Sequence, residues 1–123
     1  MEDTRFEDPK FLKWAFAVKK RDGFVCKICG LKNVELNSHH LNAWDTYESQ
    51  RYDVKNGICI CVYHHQHFHD AYGYGGNTEE QFGEYYDTCK LIHKSAALHF
   101  ISDELTSELE VLDGYTEDSI SVA

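Results

Sequence analysis

Between Asp8 and Asp22 the apolar positions Phe11, Trp14, Ala15 and Val18 recur at helical spacing, with polar residues between them. Asp8 followed by Pro9 supplies an N-cap and a first helical residue, so the pattern predicts a helix ending near Asp22-Gly23. Phe11 and Trp14 are read as core residues of that helix rather than as stacking platforms for bases. Cys26-Lys27-Ile28-Cys29-Gly30 predicts a tight turn, and residues 33–41, short and partly alternating, predict a strand ending in two histidines. Residues 42–56 are polar and lack a period, which predicts a long loop of the kind compact domains keep for function. A second strand is predicted over 57–62 and a helix over 63–71, closed by Gly73, Gly75 and Gly76. Thr78-Glu79-Glu80-Gln81 has the form of a capping box for a last helix, whose Phe82, Tyr85, Tyr86, Cys89 and Ile92 predict a core-facing stripe. The expected fold class is α+β: a small ββα core over residues 24–72, flanked by an N-terminal helix and a C-terminal helix.

Composition sharpens this outline. A chain of 123 residues has room for one small domain, expected over residues 1–102, and so small a core gains from a covalent or metal staple. Five Cys and eight His supply ligands for one. The odd cysteine count, their uneven spacing and the lack of a secretory segment argue against a disulfide framework and for a reducing, cytoplasmic setting. No apolar run approaches the roughly 20 residues of a bilayer span, so a soluble protein is expected. The net charge of −9 is at odds with a nucleic-acid partner until its distribution is considered. Asp103, Glu104, Glu108, Glu110, Asp113, Glu117 and Asp118 fall in a segment without Lys or Arg, which is expected to be a mobile acidic tail over 103–123. Without those seven, 14 acidic residues face 12 basic ones, and six of the basic residues lie between Lys10 and Lys27. A local positive patch is therefore compatible with the acidic total.

Cys26-x2-Cys29 and Cys61-x2-His64 are two chelating pairs, and together they predict a closed Cys3His structural zinc site. Cys59 competes with Cys61, since it lies on the same face of the strand, but Cys61 has the better spacing to His64. Cys89 has no partner at metal spacing and is read as a buried apolar residue.

The remaining histidines suggest chemistry. His39 and His40, adjacent on a strand, point in different directions, so one can bind a metal while the other faces a water. His65 and His69 stand four apart on a helix and share a face, as a metal site requires, whereas His67 points elsewhere. His67, His93 and His99 are read as structural or exposed.

The ordered set Cys26-x2-Cys29, His39-His40, Asn56-Gly57 and Cys61-x2-His64-His65-x3-His69 resembles the HNH endonuclease family, in particular the small zinc-containing enzymes of phages and mobile elements. The resemblance covers about residues 11–90 and includes the Arg21-Asp22-Gly23 turn and the stretch from Asn77 to Phe82. One departure is His64, where many relatives have a second cysteine. The resemblance implies a ββα-metal core and cleavage of DNA to 5′-phosphate and 3′-hydroxyl ends. It implies that His40 is the general base, that His39 and His65 bind a catalytic divalent ion with His69 as a third ligand, and that Asn56 supports the geometry by hydrogen bonds across the loop. Imidazole ligands suit Mn, Co, Ni or Zn, and phosphate and water oxygens would also let Mg act. Lys19, Lys20, Arg21, Lys27, Arg51 and Lys55 are then candidates for phosphate contacts that add affinity without reading sequence. Further implied partners are phage packaging proteins such as a terminase, with the protein acting as a monomer or weak dimer. The competing expectation is a non-catalytic zinc module that binds nucleic acid or protein. Nucleophilic Cys/His catalysis fares worse, because the cysteines nearest the histidines are assigned to zinc.

Overall fold

The computed structural model describes the backbone of residues 5–113 and the side chains of residues 5–96. Asp8 caps the first helix, its carboxylate accepting the Lys10 N–H at 2.9 Å, and Pro9 begins α1 (Pro9–Arg21) where no intrahelical donor is needed. Phe11, Trp14 and Val18 are all buried and form one cluster, against which Ala15, Trp44 and Val54 pack. The end of α1 is locked by side chains. Arg21 donates to the carbonyls of Val54 and Gly57, both at 2.6 Å, and the Asp22 carboxylate accepts the Cys59 N–H at 2.9 Å.

β1 (Leu36–His40) and β2 (Gly57–Cys61) pair antiparallel, with Leu36 opposite Cys61, His39 opposite Ile58 and His40 opposite Gly57. β1 is shorter than the 33–41 expected from its pattern because β2 offers only five partners. Beyond the ladder single bonds remain, from Val62 N–H to the Glu35 carbonyl and from Leu41 N–H to the Asn56 carbonyl, each 3.0 Å. Gly57 is the point of closest approach between α1 and the sheet: a Cβ there would lie 2.6 Å from both Trp14 Cζ2 and Val18 Cγ2. The loop between the strands is not featureless, since 3-10 turns occupy Glu48–Gln50 and Val54–Asn56.

β2 passes directly into α2 (Val62–Tyr72), one residue earlier than the sequence pattern suggests. The last helix, α3 (Glu79–Asp113), starts from a formed capping box: Thr78 Oγ1 accepts the Gln81 N–H and Gln81 Oε1 accepts the Thr78 N–H, both at 3.2 Å. Phe82 and Tyr85 are buried as their stripe predicts, whereas Ile92 is 60 % exposed. The chain divides into two compact units, Met1–Tyr86 and Asp87–Ala123, and the division falls inside α3 rather than after residue 102. Residues 103–113, assigned by composition to a tail, are helical backbone, and residues 114–123 lie outside the described residues. Among the described residues the architecture is a small α+β fold with three α-helices and one two-stranded sheet. None of the helices is long and apolar enough to cross a membrane.

Candidate functional site

The turn after α1 and the junction of β2 with α2 bring Cys26, Cys29, Cys61 and His64 together, their ligand atoms all within 4.8 Å of one another. Cys29 Sγ and Cys61 Sγ are 3.9 Å apart, and His64 Nδ1 lies 3.3 Å from Cys61 Sγ and 4.0 Å from Cys26 Sγ. Zinc–sulfur bonds of about 2.3 Å in a tetrahedron require sulfurs about 3.8 Å apart, so the four donors fit a metal such as zinc. Burial pushes the Cys26 thiol up, but the N–H groups of Cys29, Cys61 and Ile28 outweigh it and leave the thiol below its ordinary value. Cys29 shows the opposite balance, with burial driving it up to about 11. Cys59 is outside the cluster. It lies within the ladder opposite Ser38, wholly buried, and burial followed by the Asp22 charge raises its thiol to about 11. Cys61 instead ends the strand and occupies the N-cap position of α2, where the chain turns and frees its side chain. Cys89 is buried and belongs to no metal-ligand cluster among the described residues.

A second cluster is made of histidines alone. His39 from β1 and His65 and His69 from α2 also have ligand nitrogens within 4.8 Å of one another. Their tautomers follow from their partners. His69 Nδ1 donates to the Gly73 carbonyl at 2.9 Å and His65 Nδ1 to Asn37 Oδ1 at 3.1 Å, so each ring presents a lone pair at Nε2. Those two Nε2 atoms are only 3.2 Å apart. Two lone pairs at that distance repel unless a cation or proton lies between them. His39 Nε2 is buried and, among the described residues, is the sole buried side-chain nitrogen or oxygen without a hydrogen-bond partner. Metal–imidazole bonds of about 2.0–2.1 Å place adjacent nitrogens roughly 3.3 Å apart, so this donor set fits a divalent ion. Burial holds His39 well below its ordinary basicity, helped by His65, His69 and His40. Burial also takes His65 down to about 4, followed by the charges of His69 and Arg5. Neutral imidazoles are the form that ligates metals.

His40 is held differently from its neighbour. Its ring lies flat on Trp14, with centroids 3.7 Å apart and planes 9° apart, while Trp14 Nε1 is anchored to the Asp53 carbonyl at 2.7 Å. His40 Nε2 donates to the Arg51 carbonyl at 2.8 Å, which leaves Nδ1 as the basic nitrogen. Burial lowers His40 to about 4 against the raising effect of that carbonyl, with Arg5 and Arg51 adding to the depression. Asn56 holds the loop that supplies the carbonyl. Its Oδ1 accepts the Asn42 N–H at 2.8 Å, and its Nδ2 donates to the carbonyls of Asn42 and Gln50 at 2.9 and 3.2 Å. Asn56 ends the 3-10 turn Val54–Asn56, and its side chain is buried and fully bonded there.

His39, His40, His65 and His69 all line one cleft of about 490 Å³. Among the six basic residues proposed from sequence, only Lys19 lines it. Arg21, at the end of α1, is committed to the Val54 and Gly57 carbonyls and the Asp22 carboxylate, and Arg51 donates to the Trp44 carbonyl at 2.7 Å and stacks on the Trp44 ring at 4.5 Å. Lys20, Lys27 and Lys55 are exposed and do not line the cleft. The cation that sequence reading missed is Arg5, which lines the cleft from the first 3-10 turn with its guanidinium 5.4 Å from the Trp44 ring and 5.9 Å from that of Phe11. Asn37 and Tyr74 were missed as well, while Trp14, expected in the core and found there, also carries the His40 ring. Their signals were faint: Asn37 stands two residues before His39 on the same strand face, and Tyr74 lies among the glycines that close α2. Comparison with protein-family models, curated proteins and solved structures finds no match to the chain.

Proposed function

We propose that the chain is a metal-dependent DNA endonuclease of the HNH type, hydrolysing phosphodiester bonds to 5′-phosphate and 3′-hydroxyl ends. The observation that carries this reading is the meeting, in one cleft, of three imidazoles whose ligand nitrogens converge with a fourth whose basic nitrogen is set apart from them. His40, kept neutral by burial, would take a proton from the attacking water at Nδ1. Trp14 and the Arg51 carbonyl restrain its ring, and Asn56 holds the loop that presents that carbonyl. His39, His65 and His69 would hold a divalent ion, which supplies the Lewis acidity that neutralises charge building at phosphorus and on the departing 3′ oxygen. Arg5 and Lys19 would attract the phosphate backbone into the cleft. The Cys26, Cys29, Cys61 and His64 cluster would carry structural zinc and hold the strand and helix that bear the histidines.

The test is a nicking assay on supercoiled plasmid, using zinc-loaded protein with Mn, Mg, Co, Ni or Zn in turn and end-group analysis of the products. Nicked or linear DNA bearing 5′-phosphate ends is the expected result. Intact plasmid with every ion would overturn the nuclease reading and leave a zinc module that binds without cleaving.

A further inference from the structure

Of the three clustered imidazoles, His69 stands in the last turn of α2, where the helix gives its ring least support. The segment that follows supplies it. Gly73, Gly75 and Gly76 lie at φ of 81°, 87° and 63°, a region that L side chains rarely adopt, and they turn the chain away from the end of α2. Gly73 accepts the His69 Nδ1 proton at 2.9 Å. Tyr74 then lies face to face on the His69 imidazole, with centroids 4.3 Å apart and planes 9° apart. Its hydroxyl is tied to the amide of Gln66, at 3.1 and 3.3 Å, and Gln66 itself donates to Asp70 at 2.9 Å. The far end of the segment is anchored too, since the Asp45 carboxylate accepts the Gly76 N–H at 3.1 and 3.3 Å. Tyr74 is 72 % exposed, so apolar burial does not explain why the ring is held parallel to a histidine at the cleft wall.

We propose that residues 73–76 form a clasp that positions His69, with Tyr74 restraining the plane of the ring and the Gly73 carbonyl fixing its tautomer. This rests on reading His39, His65 and His69 as a metal site. Helix α2 brings His69 to the cleft, but two torsions still let its ring swing away. The stack and the Nδ1 hydrogen bond remove that freedom before an ion arrives, and the carbonyl makes Nε2 a better donor. Partners of this kind typically change metal affinity by 10–100-fold. Tyr74 is a positioning residue, acting on the ion through His69 rather than touching it.

Titration calorimetry of the full chain carrying one zinc per chain, which the three thiolates of the cysteine cluster hold in preference to the three imidazoles, with Mn2+ alone tests the clasp without requiring cleavage. Tyr74→Ala should weaken Mn2+ binding at least tenfold while the melting temperature stays near that of the parent, because the ring is largely exposed. Tyr74→Phe, which keeps the stack and loses only the tie to Gln66, should bind within about threefold of the parent. Parental affinity in Tyr74→Ala, with binding abolished in His69→Ala, would overturn the clasp and leave the triad standing. Failure of the parent chain to bind Mn2+, or indifference of binding to His69→Ala, would overturn the triad and the clasp with it.

Discussion

The two ligand clusters of this protein lie side by side in sequence and differ in what surrounds them. His64 and His65 are consecutive residues of α2, yet one joins three cysteines and the other joins His39 and His69. A helix turns about 100° per residue, which is enough to send neighbours to opposite purposes. The cysteine cluster has four donors, two from a tight turn and two from a strand end and a helix start, so a tetrahedral ion there has no position left for a reactant. The histidine cluster has three donors and opens into a cleft of about 490 Å³. The contrast teaches that the count of donors and the space beyond them separate a closed metal site from one open to a further ligand.

The largest effect should come from the closed cluster. Zinc ligation in such sites is worth about 10–16 kcal/mol, comparable with the whole stability of a small domain at about 5–15 kcal/mol. Cys26→Ser should therefore lose its zinc and leave the ββα unit largely unfolded, as judged by metal content and circular-dichroism melting. Native melting with one zinc per chain would erase the distinction between the clusters. The open side should respond in rate rather than in fold. His40→Ala should slow plasmid nicking by about 10²–10⁴-fold while zinc content is kept and melting falls by only a few degrees. A collapse of folding equal to that of Cys26→Ser would make His40 a core residue.

Between these lies the packing that joins the two. Gly57→Ala would press a methyl group into Trp14 and Val18 and should cost about 1–3 kcal/mol, measured by urea denaturation. Because Trp14 carries His40, nicking should fall as well, and full activity in a destabilised Gly57→Ala protein would argue that the stack does not position the base. The smallest effects concern the surface. Arg5→Ala should weaken metal-free binding of duplex DNA about tenfold and flatten its salt dependence, while Lys55→Ala should change affinity by less than about twofold. Equal losses in a fluorescence-anisotropy titration would mean that contacts are spread over the surface rather than drawn into the cleft.

Much of this was legible in the chain. The N-cap at Asp8, the capping box at Thr78 and Gln81, and the apolar stripe of α1 are local patterns, and each forms as its spacing predicts. Ile92 was misjudged because a stripe gives no account of where a helix stops meeting a partner. The basic residues were the least legible. Arg21 and Arg51 look like any other cations in sequence, yet Arg21 donates to carbonyls 33 and 36 residues away and to the Asp22 carboxylate, and Arg51 donates its Nε–H to a carbonyl 7 residues away. Arg5, which sequence reading passed over, takes the place at the cleft.

Spacing alone was enough to pair Cys26 with Cys29, Cys61 with His64 and His65 with His69, because chelation within a turn or along a helix depends on a few backbone torsions. It was also enough to send His39 and His40 apart. The contacts that hold the cleft histidines needed the folded chain: Trp14 stacked on His40, Asn37 bonded to His65, and the Arg51 carbonyl supplied to His40 by the loop that Asn56 bonds. Those contacts join residues brought near only when α1 packs on the sheet and the long loop closes, and no period in the sequence records a meeting of that kind.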